Sequence, residues 1–382
     1  MSKIAVVIPK YGLVGGAEQF AAELTGKLCN RPSYTFQVLA NRWQSNALAL
    51  TFEKMPIITF PKFLTTLSFA WFVERRLKSV SFDLIHTHER IFFADLFTLH
   101  GIPHRYWVRN IRRKPPSLYD LATSWVERKL VYEGGCKKFV AVSELTKSIF
   151  VQEFQVDPER VAVIHPGVNP TDYFRPDPER TRYETRKAWG VRANDVVIVF
   201  ASMNFEIKGL DDILLSLAQL KRDFSHFKFI VAGKGNIRKY AGLAKDAGIA
   251  DHVLFTGQVP KEKLTDIYLA GDLYLMLSRF DTFGMVVLEA MAAGLPVMIS
   301  NNVGARDVVR DGHNGFVISD PADHRQIVSK LRLFFDENIR RPMAAAARET
   351  AAQNTWDRVA EKYADLYEEI LAMKQRPSFT GN

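Results

Sequence analysis

The sequence predicts an α/β protein built from two doubly wound, Rossmann-like domains with parallel sheets that face each other across a cleft. Its 382 residues suit two domains of roughly 150 to 200 residues each. Short, nearly continuous apolar runs alternate with helix-length amphipathic segments through both halves, the pattern of parallel strands covered by helices. A polar stretch with prolines, residues 169–195, is the predicted link between the halves.

The strands are predicted from runs of β-branched and aromatic residues. In the first half these runs are KIAVVIP, TFQVLA, FDLIHTH, FFADLFTLHG, KKFVAVS and RVAVIHPG, with GGAEQFAAELTGKL as the first crossover helix. In the second half they are DVVIVFAS, KFIVAG, VLFTG, DLYLMLS, PVMIS and GFVIS. We therefore expect an N-terminal domain at 1–175, a C-terminal domain at 176–355, and a C-terminal helix and tail at 356–382 that crosses back to the first domain.

Composition narrows the class of protein. With 47% hydrophobic and 24% charged residues and no low-complexity tract, the chain is neither disordered nor fibrous. Cys29 and Cys136 are too far apart for a metal-ligand spacing and form no disulfide framework. The first apolar run ends at Pro9 and is too short for a signal peptide. We expect a cytoplasmic protein that is a candidate for peripheral attachment to the inner membrane.

The net charge of +9 is concentrated in the first half and is greatest at residues 105–114. There Arg105, Arg109, Arg112, Arg113 and Lys114 alternate with aromatic and aliphatic residues, and no acid intervenes. An anionic membrane or a phosphorylated acceptor is one candidate partner for this stretch. A solvated basic loop is the other interpretation. Nucleic acid is disfavoured, because no binding motif for it accompanies the charge.

Glycines and lysines follow several predicted strands, where ligands of open parallel sheets bind. Gly15 and Gly16 open the first helix, so backbone N–H groups there could bind an anion. They do not form the dinucleotide fingerprint, which disfavours a nicotinamide oxidoreductase. Lys208 precedes a predicted helix, and Lys234 follows the next strand. Each alone is typical of a solvated surface charge, but two cations on adjacent strand ends favour an anion between them.

Two carboxylates stand in the run DTFGMVVLEAMAAGLPV. Asp281 lies in the loop before a helix that we expect from Gly284 to Ala293, where it could cap that helix or bind a ligand. Glu289 lies inside the helix among apolar residues, and an unpaired buried carboxylate costs several kcal/mol. A ligand with hydroxyl groups would satisfy Glu289.

Histidines are a further candidate group. His86, His88, His100 and His165 lie at or near strand ends, and their spacing is not that of a metal site. Each is typical of a hydrogen-bonded structural residue. His100, directly before Gly101, is the best candidate to face the predicted cleft.

Taken together, these motifs resemble the retaining glycosyltransferases of family four, which have the GT-B fold. The resemblance extends over nearly the whole chain, through GGAEQFAAEL, FVAVSELTKSIF, VIHPGVNPTDYF, KGLDDIL, DHVLFTGQV and DTFGMVVLEAMAAGLPV. Within the family, the basic and aromatic first half is most similar to lipopolysaccharide core glucosyltransferases. The resemblance implies a hexosyltransferase that uses a nucleotide diphosphate sugar, with UDP-sugars favoured, and needs neither metal nor cofactor.

The resemblance also implies roles for single residues. Lys208 would balance the diphosphate leaving group, Asp281 would contact the donor sugar, and His100 would lie beside that sugar. The other implied donor-binding residues are Glu289 at the ribose, Gly15 and Gly16 near the diphosphate or acceptor, Phe283 and Gly284 at the sugar and phosphate, Lys234, and Gly257 and Val259 at the base.

Two departures from the family pattern affect these roles. The first acid is usually Glu and here is Asp281, which is one methylene shorter. The family usually has an arginine five residues before the lysine, and here that position is Met203, so Lys234 or Arg279 would have to supply the charge. A transferase-like binding protein with weak or no activity is therefore the main alternative. A sugar phosphorylase of the same fold is less favoured, because its cofactor-lysine segment is not recognisable.

Overall fold

The computed structural model describes residues 1–13, 15–45 and 47–375. The chain divides into two compact units, one formed by residues 1–166 together with the segment that begins at Trp356, and one formed by Gly167–Thr355. The division falls earlier than the boundary expected after residue 175. The reason is that residues after Pro166 pair within the second unit: the amide of Val168 donates to the Asn354 carbonyl at 2.9 Å, and Arg175 pairs with Asp266 at 3.1 Å.

The first unit contains a seven-stranded parallel sheet in the order β5-β3-β1-β6-β7-β8-β9 and a small β2-β4 pair. Its strands are β1 Ser2–Val7, β2 Lys10–Tyr11, β3 Tyr34–Ala40, β4 Arg42–Trp43, β5 Leu50–Lys54, β6 Leu84–Thr87, β7 Leu96–Leu99, β8 Lys138–Ala141 and β9 Val161–Val163. Its helices are α1 Gly16–Leu28, α2 Leu64–Ser79, α3 His104–Tyr106, which continues as a π-helix over Trp107–Arg112, α4 Leu118–Tyr132, α5 Glu144–Phe154 and α13 Trp356–Gln375.

The second unit contains a six-stranded parallel sheet in the order β12-β11-β10-β13-β14-β15. Its strands are β10 Val196–Ser202, β11 Phe227–Gly233, β12 Val253–Gly257, β13 Leu273–Met276, β14 Val297–Ser300 and β15 Gly315–Ile318. Its helices are α6 Pro178–Ala188, α7 Leu210–Leu220, α8 Ile237–Asp246, α9 Lys261–Ala270, α10 Met285–Ala292, α11 His324–Leu333 and α12 Glu337–Gln353. The two parallel sheets predicted from the sequence are confirmed.

Helix α13 packs on the first unit, as expected for a C-terminal helix that crosses back. The hydroxyl of Tyr367 lies 2.7 Å from Nδ1 of His86 on β6, and the hydroxyl of Tyr34 on β3 donates to Glu368 at 2.6 Å. Lys374 pairs with Asp95 at 2.9 Å. These contacts make α13 part of the first unit's core.

None of the helices in the described part of the chain combines the length and the apolar character that a bilayer-spanning segment requires.

Candidate functional site

Lys208 and Asp281 form an ion pair in the second unit, although they lie far apart in the sequence. Lys208 is on the loop between β10 and α7, and Asp281 is on the loop between β13 and α10. Because β10 and β13 are neighbours in the parallel sheet, the two loops leave it at the same edge. Both side chains are mostly buried, so the structure brings together two of the three residues predicted to be catalytic.

The backbone holds these two loops against each other. The amide of Arg279 and the hydroxyl of Ser278 both donate to the carbonyl of Ile207, at 2.8 and 3.1 Å. Gly209 follows Lys208 and has a φ of +74°, and a Cβ there would overlap with the Leu277 carbonyl. A glycine is therefore required for α7 to begin this close to β13.

The N-terminus of α10 lies beside the ion pair. Gly284 is the N-cap, with φ +89° and no side-chain cap, so Asp281 does not cap the helix. The Asp281 side chain instead accepts from the amide of Phe283 at 3.3 Å, while its carbonyl accepts from Gly304 at 3.0 Å. The Phe283 ring is only 2% exposed and packs inside the unit. Contact of Phe283 with a donor remains a prediction.

Glu289 has protein partners, and the expectation that it is unpaired is wrong. The hydroxyl of Tyr268 donates to its Oε2 at 3.4 Å, and the hydroxyl of Tyr173 also bonds the carboxyl. Both tyrosines are distant in sequence, so no local pattern could reveal them. Burial raises the pKa of Glu289 above its usual 4.5, and the charge of Lys261 and the two hydroxyl groups oppose that effect.

The remaining donor candidates of this unit lie at neighbouring strand ends. Gly233, the last residue of β11, pairs with Ser202 of β10, and the amide of Lys234 donates to the Ser202 carbonyl at 2.9 Å. Gly257 ends β12 and pairs with Ala232, next to Gly233. Lys234 therefore lies between the ends of β10 and β12.

Val259, two residues after Gly257, lines a hollow of about 560 Å³. Thr256, Trp189, Arg175 and Ile267 are among the other lining residues. The hollow therefore adjoins the segment predicted to hold the base.

This chain has Met203 where the family usually has an arginine, and Lys234 and Arg279 are the candidates to supply the missing charge. The three residues have different surroundings. Met203, at the family's arginine position, is 51% exposed directly after β10. A guanidinium nitrogen of Arg279 lies 3.9 Å from Asp211, which partly neutralises it. Lys234 is exposed and forms no ion pair within the described residues.

In the first unit, His100 and the start of α1 line one small cavity of about 190 Å³. Nε2 of His100 lies 2.8 Å from Nδ1 of His88, and its ring packs edge-on against Phe20 of α1. Gly15 is the N-cap of α1, Gly16 is its first residue, and Ala17 lines the cavity. The structure thus brings the predicted glycine turn near His100.

His86, His88 and His100 form a cluster, in which His86 and His88 are buried. Nε2 of His86 lies 2.8 Å from the Thr98 hydroxyl, which lies 2.9 Å from the Tyr363 hydroxyl on α13. Burial lowers the pKa of His86 and of His100 to about 3. All three imidazoles are therefore neutral at pH 7, since the pKa of His88 also lies well below its usual value for the same reason.

Two charged residues that line the same cavity, Arg90 and Glu127, anchor the start of α3. Arg90 donates to Glu127 at 2.8 Å, and the other Glu127 oxygen accepts from the amide of His104 at 2.7 Å. In the basic stretch 105–114, Arg112 pairs with Asp120 at 2.8 Å and Arg109 with Glu153 at 3.0 Å. Two of the five cations of the stretch are therefore partly neutralised.

Within residues 1–13, 15–45 and 47–375, no three His, Cys, Asp or Glu side chains are grouped as a metal ion would need. Independence of metal remains a prediction.

Comparison with known families gives a match in each half of the chain. Residues 14–172 match the family model for Glycosyltransferase Family 4, and residues 181–354 match the model for Glycosyl transferases group 1.

Two curated relatives illustrate the similarity. A GDP-mannose-dependent alpha-(1-6)-phosphatidylinositol monomannoside mannosyltransferase of Mycobacterium tuberculosis is 28% identical, over 92% of this chain and 94% of its own. A D-inositol 3-phosphate glycosyltransferase of Streptomyces scabiei is 34% identical, over 61% of this chain and 54% of its own.

Solved structures show the same fold. WaaG, a glycosyltransferase involved in lipopolysaccharide biosynthesis, has a TM-score of 0.80 at 22% identity, covering 95% of this chain and 99% of its own. HepE of Anabaena, in complex with UDP and glucose, has a TM-score of 0.72 at 19% identity, covering 97% and 100%. The predicted GT-B fold is confirmed.

Proposed function

The chain belongs to the group 1 glycosyltransferases, and from this membership we propose that it is a retaining hexosyltransferase. It would transfer a sugar from a nucleotide diphosphate sugar to a bacterial surface glycan or glycolipid, such as lipopolysaccharide core. The observation that carries the proposal is the ion pair of Lys208 and Asp281 beside the N-terminus of α10. A cation beside a helix N-terminus is an arrangement to which a diphosphate could bind.

The chemistry follows from the charge that develops as the glycosidic bond to the donor breaks. The leaving nucleoside diphosphate becomes more negative, and the ammonium group of Lys208 would stabilise it together with the N-terminus of α10. The diphosphate would compete with Asp281 for Lys208. Asp281 could then accept hydrogen bonds from the donor sugar. One donor molecule would in this way contact both residues of the ion pair.

Glu289 would bind the ribose hydroxyls of the donor. Its carboxyl group is oriented by the hydroxyls of Tyr268 and Tyr173. Three further residues would complete the donor site. Gly257 and Val259 would contact the base, and Gly284 would contact the sugar and the phosphates. A site whose groups are held in place before binding needs less ordering when the donor arrives.

The charge missing at Met203 is best supplied by Lys234. Its backbone is bonded to Ser202, the residue before Met203. Arg279 is the weaker candidate, because Asp211 already lies 3.9 Å from its guanidinium group. We therefore propose that Lys234 takes the part of the family's arginine toward the diphosphate.

The first unit would take the acceptor. The cavity lined by His100 and the start of α1 offers a neutral imidazole and backbone N–H groups. Gly15 and Gly16 would let a ligand approach that backbone. If the acceptor is a glycolipid, an anionic membrane surface is the proposed partner. The basic stretch 105–114 is the first candidate for that contact. We propose no nucleic-acid partner. We place the protein in the cytoplasm, peripheral on the inner membrane.

A panel of nucleotide sugars tests the donor. We favour a UDP-sugar, and GDP-mannose belongs in the panel because the mycobacterial relative is named for it. A donor at a hundred times its dissociation constant adds about 2.7 kcal/mol to the free energy of unfolding, which a thermal-shift assay detects. If no nucleotide diphosphate sugar in the panel raises the melting temperature, the proposed function is wrong.

A transferase-like binding protein without activity is the second candidate, and the exposed Met203 is the observation in its favour. Release of nucleoside diphosphate from a bound donor separates the two. An enzyme releases the diphosphate over time, whereas a binding protein shifts its melting temperature and releases none.

A further inference from the structure

Exposed apolar side chains are concentrated on one surface of the first unit. Phe60 before α2 is 88% exposed, and Trp71 on α2 is 48% exposed. On α4, Leu118 is 69%, Leu121 56% and Trp125 52% exposed. Large apolar side chains that are exposed as a group mark an interaction surface, whereas isolated ones need no explanation.

The exposed side chains follow the helical period. On α4 they are Leu118, Leu121, Trp125, Arg128 and Tyr132, whose spacing places them in one stripe. On α2, Trp71 and Arg75 are likewise one turn apart.

Helices α2 and α4 lie side by side and run in the same direction. The ammonium of Lys62 lies over the ring of Tyr119 at 4.9 Å, and four residues further along each segment the hydroxyls of Thr66 and Thr123 are 3.2 Å apart. Their inward residues, among them Phe69 and Val126, belong to one core cluster. The two outward stripes therefore form a single surface, which we call the α2–α4 face: Trp71, Arg75, Leu118, Leu121, Trp125, Arg128 and Tyr132.

The charges around this face are almost all positive. Arg75 lies 5.8 Å from the ring of Trp71, and Arg128 lies 5.7 Å from that of Tyr132. Within the described residues, neither arginine forms an ion pair. Lys62 and Lys129 add two further cations next to aromatic rings.

The acids of the same segments do not offset these cations. Asp120 and Glu127 on α4 are buried and already paired with Arg112 and Arg90. Glu74 on α2 pairs with Lys78 at 2.9 Å. Glu133, directly after α4, is the exposed acid nearest in sequence to the α4 stripe.

We infer that the α2–α4 face docks on an anionic lipid bilayer. Tryptophan, tyrosine and leucine side chains fit the boundary between headgroups and acyl chains, where an aromatic ring can be partly buried and partly wet. Arginine and lysine can bury their aliphatic stems there while their charged ends reach the phosphates. A protein partner would not need this excess of cations around the aromatic rings.

This inference adds to the basic stretch 105–114 and changes which residues carry the contact. Arg109 and Arg112 of that stretch are engaged with Glu153 and Asp120. The stretch leads directly into α4, so its exposed Arg113 and Lys114 would add attraction at one end of the α2–α4 face. The inference rests on the surface itself and not on the proposed transferase activity.

Vesicle sedimentation of the full chain tests the inference, with phosphatidylcholine alone or mixed with phosphatidylglycerol. We expect binding to the mixed vesicles, weak binding to phosphatidylcholine, and release as salt is added. The double variant Arg75→Glu/Arg128→Glu should lower the partition coefficient by about tenfold or more, since each cation at the surface contributes to attraction. The double variant Trp71→Ser/Trp125→Ser should also lower the partition coefficient, although it leaves the net charge of the protein unchanged.

The chain offers a matched control on the second unit. Lys187 on α6 lies 5.9 Å from the exposed ring of Tyr183, one turn away, as Arg128 does from Tyr132. The variant Tyr183→Ser/Lys187→Glu should bind vesicles like the wild type. Circular dichroism of each variant confirms folding, and nucleotide release, if present, should be unchanged in all of them.

Three results would overturn the inference. One is equal binding of the wild type to neutral and mixed vesicles. Another is wild-type binding by both α2–α4 variants. The third is absence of vesicle binding together with self-association, measured by sedimentation equilibrium, that the same variants abolish. That last result would make the face a contact between copies of the chain, and it would leave the proposed transferase function standing.

Discussion

Close contacts between backbone segments determine where Lys208 and Lys234 lie in the second unit. Gly209 lets α7 begin against the Leu277 carbonyl, and a Cβ at Gly233 would overlap with the Ser202 carbonyl. Lys208 and Lys234 each adjoin one of these glycines. Their positions are consequently set by backbone contacts and not by side-chain packing alone.

Lys208→Ala should lower turnover well over tenfold, which corresponds to about 1.4 kcal/mol or more of lost transition-state stabilisation. The physical reason is the loss of the cation that would face the leaving diphosphate. Nucleoside diphosphate release under saturating donor measures it. Lys330→Ala is a suitable control, because Lys330 also pairs with an aspartate, Asp311, but near the start of β15 at the other sheet edge. Similar rates for the wild type and Lys208→Ala would refute the assigned role.

Lys234→Ala should reduce turnover more than Arg279→Ala does. Lys234 has no ion pair within the described residues, whereas Arg279 is held near Asp211. We expect the Lys234 variant to lose about tenfold in turnover and the Arg279 variant to remain close to the wild type. The opposite order would assign the missing charge to Arg279.

Glu289→Gln should weaken donor binding and yet stabilise the free protein at neutral pH. Because burial raises the pKa of Glu289 in the folded chain, the folded state binds a proton more readily than the unfolded state does. The contribution of Glu289 to stability therefore falls as pH rises above about 4.5. Melting temperatures of the variant and the wild type should differ most at pH 7 to 8 and converge toward acid pH, while Glu349→Gln, at an exposed position, should follow the wild type. A constant difference at every pH would contradict this assignment.

At the scale of elements, the strands and the site helix were predictable, whereas the partners of the site residues were not. Runs such as VVIVFAS are buried throughout, so their apolar character alone identifies β10. The two-residue strands β2 and β4 are too short for any such pattern. Glu289 meets Tyr268 only because α9 and α10 lie together in the folded unit. Contacts of that kind depend on tertiary packing, which local residue patterns do not encode.

The histidine cluster joins β6, β7 and α13, and it should make the first unit sensitive to acid. Burial lowers the pKa of His86 and His100 to about 3 in the folded chain, whereas histidines in the unfolded chain have a pKa near 6.5. Below about pH 6.5 the unfolded chain therefore binds more protons than the folded chain does. Stability should therefore fall as pH drops below about 6.5, by up to about 1.4 kcal/mol per pH unit for each histidine. The slope should be smaller in His86→Gln, measured by denaturant unfolding between pH 5 and 7. His313→Gln, at an exposed position, is the control, and an equal slope in both variants would contradict the prediction.

At the scale of the whole molecule, the two units should respond differently when the chain is shortened. A chain that stops after Thr355 lacks the buried side chains of Trp356, Tyr363, Tyr367 and Ile370. Burial of each large apolar side chain contributes about 1.5 to 3 kcal/mol, so the first unit should lose its stable fold. Limited proteolysis with mass spectrometry should show cleavage within residues 1–166 and protection of 167–355. A chain that stops after Gln375 keeps the whole of α13 and is the control. Equal resistance of the two shortened chains would refute a structural role for α13.

The return of α13 to the first unit also bears on how the protein is made. In order of synthesis, residues 167–355 are an insertion within the sequence of the first unit. On the ribosome the second unit can be complete while β6 still lacks the Tyr367 partner of His86. The first unit, although it begins first, is thus the last to acquire all of its core, and chaperone binding during translation should be sought on its unfinished sheet.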